Sequence, residues 1–289
     1  MLLCPECHEP FMEHIQICDN CHWEFTTIEN IKIMISTHDK NSSLFSSYSK
    51  NYDQIAQNDL NTSFLDDRYV EIQAEQICKL CPSLKGKDVC DLGSGRGFLV
   101  NKIQKRNPKS ITAVDISLPY LKNFSSKIEV YQANAENLPF KDKFDIITCT
   151  DIMEHVINIG SFLFSLNRSL RTKGYTVIRV PYKENLLNYA PQNGCEYEFA
   201  HLRDFNHENI KRLLKFAGMK VISFHINSFS LQTPQEFWMK TQRRKNWYNS
   251  LQSFARKYLK QDSDINLYPS SILRLFMKPL EITVLAQKI

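Results

Sequence analysis

From residue 88 onward, short apolar runs alternate with helix-like stretches, and this alternation constrains the fold more than any other feature of the chain. "DVCDLG" precedes a helix-like stretch at 97–106 and "SITAVDIS" precedes one at 118–125. "IEVYQAN" and "FDIITCTD" lead to another at 160–170, followed by "GYTVIRVP". Parallel neighbours need a crossover, usually a helix, so the pattern predicts an α/β fold with a doubly wound, mostly parallel sheet. "MKVISFHI" and "EITVLAQKI" add two strands, which makes seven.

The N-terminal stretch is of another kind. "CPECHEPFMEHIQICDNC" carries Cys4, Cys7, Cys18 and Cys21 as two Cys-x-x-Cys pairs ten residues apart. Each pair can form a knuckle whose thiolates point at one ion, and four thiolates close a tetrahedron with no place for water. A structural zinc ribbon is the expectation, with a disulfide or redox pair as the alternative. His8 and His22 each follow a knuckle cysteine and are read as lying outside the ligand set. The remaining cysteines, Cys78, Cys81, Cys90, Cys149 and Cys195, are scattered and are read as small buried hydrophobes.

The expected division is a zinc ribbon at 1–27, a linker and N-terminal cap at 28–66, and the α/β domain at 67–289, with an insertion at about 228–278. The domain's core is expected not to depend on the ribbon. Residues 36–64 are rich in Ser, Asn and Asp, with a short helical piece expected near 48–57, and a helix is expected at 67–81, stopped by Pro82. No apolar run approaches the roughly 18–20 residues of a membrane span, and "MLLCPECHEP" lacks a basic leader region, so no membrane contact and a cytoplasmic location are expected.

The loop "VCDLGSGRG" names a ligand class. Gly93, Gly95 and Gly97 give G-x-G-x-G, whereas the dinucleotide fingerprint needs its third glycine one place later, where this chain has Phe98. Asp91 would repel a pyrophosphate and suits a ligand with an ammonium group. Asp115, ending the next strand, can accept the two hydroxyls of a ribose. The ligand therefore has a ribose and a positive end, and needs no phosphate.

These stretches resemble the class I S-adenosylmethionine-dependent methyltransferases, whose Rossmann-like sheet has seven strands. "VCDLGSGRG", "VDIS", "ANAENLPF" and "FDIITCTDIMEHV" are similar to the family's first four motifs, in the family's order, and the resemblance covers roughly residues 45–289. It implies that Asp91, Gly93, Ser94, Gly95 and Gly97 hold the methionine part of S-adenosylmethionine. It implies that Asp115 and Ile116 hold the ribose, that Asn134 and Ala135 hold the adenine, and that Thr150 borders the cofactor. The family usually has Asp at position 134; the Asn carbonyl can accept the same hydrogen bond.

For the chemistry, "TDIMEHV" places Asp151, Glu154 and His155 at i, i+3 and i+4, which on a helix is one face. Those three could also hold a divalent cation, as a similar stretch does in the ubiquinone-pathway O-methyltransferases that the segment resembles. His155 and His201 are the general-base candidates, and Asp151 joins them as a catalytic candidate. Tyr48 and Tyr52 resemble the family's cap over the cofactor.

The net charge is +5, and residues 234–260 concentrate it: Lys240, Arg243, Arg244, Lys245, Arg256, Lys257 and Lys260 against Glu236. Phe237, Trp238, Trp247, Tyr248, Phe254 and Tyr258 lie among or near them. Basic residues mixed with aromatics can bind RNA; the same composition can form an amphipathic lid or a homodimer element, which is the preferred reading. Three functions remain open. The first is methyl transfer to O or N of a small biosynthetic molecule. The second is RNA base methylation using the ribbon and the insertion. The third is a non-catalytic cofactor-binding module that docks a protein.

Overall fold

The computed structural model describes residues 1–12, 16–63, 66–183, 201–231, 241–258, 265–266 and 277–289. The chain opens with a two-stranded ribbon, β1 (Leu2–Leu3) and β2 (Pro10–Phe11), paired antiparallel. Next come a hairpin, β3 (Thr26–Ile28) and β4 (Ile31–Met34), and the helices α1 (Thr37–Asn41), α2 (Ser43–Thr62) and α3 (Asp67–Leu80). The α/β part follows: β5 (Asp88–Leu92), α4 (Phe98–Gln104), β6 (Ser110–Asp115), α5 (Leu118–Leu121), β7 (Glu129–Ala133), β8 (Phe144–Thr150), α6 (Ile159–Ser169) and β9 (Leu170–Pro181). The last elements are α7 (His207–Phe216), β10 (Met219–Leu231), α8 (Gln242–Tyr258), β11 (Ile265–Asn266) and β12 (Met277–Lys288).

The seven expected strands lie in the order β10-β12-β9-β8-β5-β6-β7, with β12 antiparallel to both neighbours. The chain runs outward from β5 to β7 and then returns to the other side of β5 with β8. Order therefore reverses between β5 and β8, and the crevice beyond their carboxyl ends is where such sheets bind ligands. All five residues of β5 are buried, as a strand covered on both faces requires. One face packs Phe140, Phe144, Phe162 and Ile178; the other packs Ile77, Val100, Ile103 and Val177.

The sheet is longer than seven strands. Among the described residues it has ten, because β4 pairs parallel to β7, β3 pairs with β4, and β11 pairs with β10. Residues 26–34, "TTIENIKIM", hold β-branched residues on both sides of a turn at Glu29, whose φ is +55°. That pattern builds a hairpin where a linker was expected. Similarly, α1 and α2 occupy most of the Ser- and Asn-rich stretch; Ser36 and Ser42 cap them by accepting the N–H groups of Asp39 and Phe45.

The ribbon's aromatics pack on one another, Phe11 with Trp23 and Phe25, and the ribbon shares its core with the sheet. Leu2, Cys4, Phe11, Cys18 and Trp23 belong to the same cluster as Phe140 and Phe144. The Leu3 N–H donates to the Pro139 carbonyl at 2.8 Å. Cys78 lies buried on α3, and Cys90 and Cys149 are buried on strands, as packing residues should be. Burial pushes the Cys78 thiol up to about 11.

Of the insertion, β11, α8 and the ends of β10 and β12 are described. Cys195, Glu236, Phe237, Trp238, Lys240 and Lys260 lie outside the described residues. On α8, Tyr248 is buried while Trp247, Leu251 and Phe254 are exposed, at the spacing of one helix face. No helix among the described residues is long and apolar enough to cross a membrane.

Candidate active site

The glycine loop leaves β5 and is pinned to β6: the N–H groups of Gly93 and Ser94 both donate to the Val114 carbonyl, at 2.8 and 3.1 Å. Gly93, Gly95 and Gly97 have φ of +74°, +47° and +80°, the left-handed region that favours glycine. A Cβ on Gly93 would lie 2.1 Å from the Ile152 side chain, and one on Gly97 would lie 2.9 Å from Phe124. A Cβ on Gly95 would meet nothing within 4 Å, so that glycine borders open space.

Two adjoining hollows flank the loop and share Gly93, Gly95, Tyr120, Thr150 and Asp151. One, of about 850 Å³, is bordered by Asp115, Ile116, Asn134 and Ala135 and roofed by Tyr48 and Tyr52 of α2. The other, of about 950 Å³, is bordered by Asp91, Ser94, Gly97 and Arg179. All of the residues expected to hold a cofactor border one hollow or both.

The electrostatics are set by burial. Asp91 is 1% exposed, and its Oδ1 accepts the Thr148 hydroxyl at 2.7 Å. Burial pushes its carboxyl up to about 7, and the Asp115 charge contributes. Asp115 accepts the N–H of Ser117 on one oxygen and that of Gly95 on the other; burial still pushes it up to about 6. The Ser94 hydroxyl is buried with no partner among the described residues. Asn134 caps a short 3-10 turn, Ala135–Asn137, by accepting the Glu136 N–H at 3.0 Å.

A buried carboxylate, an orphaned hydroxyl and open space above Gly95 form a cradle suited to an ammonium and a backbone-hugging ligand. Its polar groups fit S-adenosylmethionine better than a pyrophosphate.

After β8 the structure departs from the expected helical face. Residues 151–158 form turns, and α6 begins only at Ile159, capped by Asn158. Asp151 has a φ of +55°, and its carboxylate pairs with Arg179 of β9. The Arg179 guanidinium is buried; burial opposes its charge, but Asp151 and Glu281 hold its pKa above the usual range. Asp151 is thus turned away from the cation set assigned to Asp151, Glu154 and His155. The side chains that converge are Glu154, His155 and His201, whose ligand-type atoms all lie within 4.8 Å of one another.

A file of rings leads out of the roofed hollow, which Tyr48, Tyr52 and His155 line. Tyr48 and Tyr52 lie 4.6 Å apart between centroids, Tyr52 and His155 6.1 Å, and His155 and His201 4.7 Å. Burial, with His201 nearby, pushes His155 down to about 3, so its ring is neutral near pH 7. His201 is half-buried and reaches this point because its segment is stapled to the post-β8 turns. The Leu202 N–H donates to the Glu154 carbonyl at 2.9 Å, and Arg203 donates to the carbonyls of Met153, Val156 and Ile157.

Arg179 and Arg203 lie in no motif, so nothing in the sequence marks them. Nor does any motif mark the seat of α2, where Asp53 accepts the Leu118 N–H and Asp59 accepts the Tyr120 hydroxyl.

At the N-terminus Cys4 and Cys21 have their Sγ atoms 3.6 Å apart, as do Cys7 and Cys18. A disulfide needs about 2.05 Å. A tetrahedron with Zn–S bonds of about 2.3 Å has edges of about 3.8 Å. The four thiols therefore fit one metal ion and no disulfide.

The chain is 30% identical over 127 residues to the tRNA U34 carboxymethyltransferase of Nautilia profundicola, covering 41% of this chain and 42% of that one. It is 31% identical over 164 residues to the ubiquinone biosynthesis O-methyltransferase of Coxiella burnetii, covering 47% of this chain and 68% of that one. It spans about half the length of the other curated relatives it matches.

Among solved structures, the fold resembles the Burkholderia thailandensis 1,6-didemethyltoxoflavin-N1-methyltransferase with bound 1,6-didemethyltoxoflavin and S-adenosylhomocysteine. The TM-score is 0.51 at 13% identity, covering 84% of this chain and 88% of that one. The family model described as "Methyltransferase domain" matches residues 67–224, more than half of the 289. By that match, and by a sheet that reverses order beside a three-glycine loop, the chain belongs to the methyltransferase domain family.

Proposed function

We propose that the chain is an S-adenosylmethionine-dependent methyltransferase acting on O or N of a small molecule. The observation that carries this reading is the roofed hollow, where the glycine loop, Asp115 and the Asn134–Ala135 turn face the ring file ending at His201. Asp91 and Ser94 hold the methionine part, Asp115 and Ile116 the ribose, and Asn134 and Ala135 the adenine. The cofactor supplies a methyl on a sulfonium, which is already a good leaving group.

The protein's work is to orient an acceptor and take its proton. His201 is the better base, because His155 sits too deep to hold a proton at neutral pH. Asp151, held by Arg179, shapes the wall between the hollows. Zinc at Cys4, Cys7, Cys18 and Cys21 is structural, since four thiolates leave no open position.

A second reading, RNA methylation, draws on the relative that acts on tRNA and on the exposed Arg243, Arg244, Trp247 and Phe254 of α8. The roof of Tyr48 and Tyr52 favours the small molecule, because a base within RNA would have to pass beneath it. Comparing metabolites and RNA modifications between cells with and without the protein tests the choice. A metabolite lacking one methyl supports the first reading, and an unmethylated RNA base overturns it.

A further inference from the structure

The first cysteine knuckle does more than hold two thiols. Asn137, at the end of the adenine turn, is clamped by it at both ends of its carboxamide. His8 Nε2 donates to Asn137 Oδ1 at 2.7 Å, and Asn137 Nδ2 donates to the Pro5 carbonyl at 2.8 Å. Pro5 lies between the ligands Cys4 and Cys7, and His8 directly follows Cys7. The His8 N–H in turn closes the knuckle onto the Cys4 carbonyl at 3.0 Å. His8 has a φ of +61°, a left-handed position that the knuckle's turn imposes.

The same knuckle reaches the opposite wall of the hollow. Glu6 Oε2 accepts the Thr37 N–H at 2.6 Å, at the start of α1, which leads directly into the roof helix α2. Inside the turn, the Asn137 N–H donates to the Asn134 carbonyl at 2.9 Å, and Glu136 accepts the Ile157 N–H at 2.7 Å. Moving Asn137 therefore moves the backbone that carries Asn134 and Ala135.

We propose that metal occupancy of the ribbon is coupled to cofactor affinity through His8 and Asn137, which act as positioning residues for the adenine turn. The proposal rests on the reading that the ribbon holds zinc and that residues 134–137 hold the adenine. With metal bound, the knuckle has one shape, and the carboxamide of Asn137 is gripped by both partners. Without it, Cys4 and Cys7 no longer need to converge, the positions of Pro5 and His8 relax, and the turn loses its brace. Coupling between two sites is reciprocal, so the cofactor must tighten zinc binding by the same factor.

The test uses the full chain with S-adenosylhomocysteine as probe, titrated with and without zinc in the ribbon. Removing zinc from the unsubstituted protein is expected to weaken the probe by about 5–20-fold, with a matching gain in zinc affinity when the probe is present. His8→Ala, with zinc still bound, is expected to weaken the probe by a similar factor. Zinc removal from that variant then has little further effect. His8→Gln keeps a donor and restores the coupling.

In turnover, His8→Ala raises KM for S-adenosylmethionine and leaves kcat unchanged. Bound zinc and bound probe with no mutual effect, or full coupling in His8→Ala, overturns the proposal alone. A purified chain without zinc, or one that never binds the probe, overturns the underlying reading as well; elemental analysis and calorimetry tell the two apart.

Discussion

Asp115 closes on the glycine loop itself: its Oδ2 accepts the Gly95 N–H at 2.9 Å, while its Oδ1 accepts that of Ser117. Each carboxylate oxygen has a second lone pair, so both can still accept a ribose hydroxyl. Under the proposed function, Asp115→Ala removes the ribose contacts together with the loop's anchor at Gly95. Calorimetry with S-adenosylmethionine should show a loss of about 1.5–3 kcal/mol, the worth of hydrogen bonds to a charged group. Unchanged affinity would remove Asp115 from the ribose site.

Asp91 sets a pH dependence. Its carboxyl lies at about 7 in the folded protein, well above the ordinary Asp value, because it is buried. A raised acid pKa contributes stability that is complete below the unfolded value and is lost as pH rises through about 7. The cofactor's ammonium favours the ionised form, so affinity should fall as pH drops below that point, by up to about tenfold per pH unit. Asp91→Asn should flatten both trends, in thermal unfolding without ligand and in calorimetry across pH. A cofactor affinity independent of pH between 6 and 8 would mean that Asp91 does not face the ammonium.

Zinc loss should be felt beyond the ribbon. Cys4 and Cys18 are 0% and 2% exposed and sit in one cluster with Phe140 and Phe144 of the sheet. If the ribbon holds zinc as proposed, replacing Cys4 and Cys7 with Ser should abolish zinc binding and lower the unfolding temperature of the whole chain. The sequence alone led to an expectation of independence between the two parts. A single transition at the unchanged temperature would restore that expectation.

The sheet was legible in the sequence because strands buried on both faces read as apolar runs, as in "DVCDLG" and "FDIITCTD". The glycine loop was legible because only glycine suits φ values such as +74° and +80°. The hairpin at 26–34 was not, because Thr, Glu, Asn and Lys among its isoleucines resemble a linker. Nor was the turning away of Asp151, because it depends on Arg179, a partner 28 residues on in a neighbouring strand. Spacing in "TDIMEHV" suggested a helix face; the left-handed Asp151 broke it, and the third member of the cluster, His201, came from a distant segment.

His201 carries the proton-transfer prediction. It meets His155 at 4.7 Å at the end of the ring file. His201→Ala should lower kcat by about 10²–10⁴ if the acceptor's proton leaves in the transition state. Affinity for S-adenosylhomocysteine should not change, since His201 does not border the glycine loop. A loss of affinity with kcat unchanged would make His201 part of the cofactor wall instead.

The choice between a small-molecule and an RNA acceptor can be tested at α8. Arg243, Arg244 and Lys245 precede an exposed stripe of Trp247, Leu251 and Phe254. If RNA is the substrate, phosphate contacts dominate affinity, and binding falls steeply with salt because neutralised phosphates release counterions. Replacing the three basic residues by Gln would then weaken RNA binding and flatten its salt dependence together. If α8 serves a small-molecule pocket as a lid, the same variant leaves RNA binding weak, as it was before. The roof of Tyr48 and Tyr52 over the hollow favours the lid, so weak, unspecific RNA binding is the expected result in a filter-binding assay. Submicromolar, salt-sensitive affinity that disappears in the triple variant would reverse the assignment, because a lid has no use for phosphate contacts.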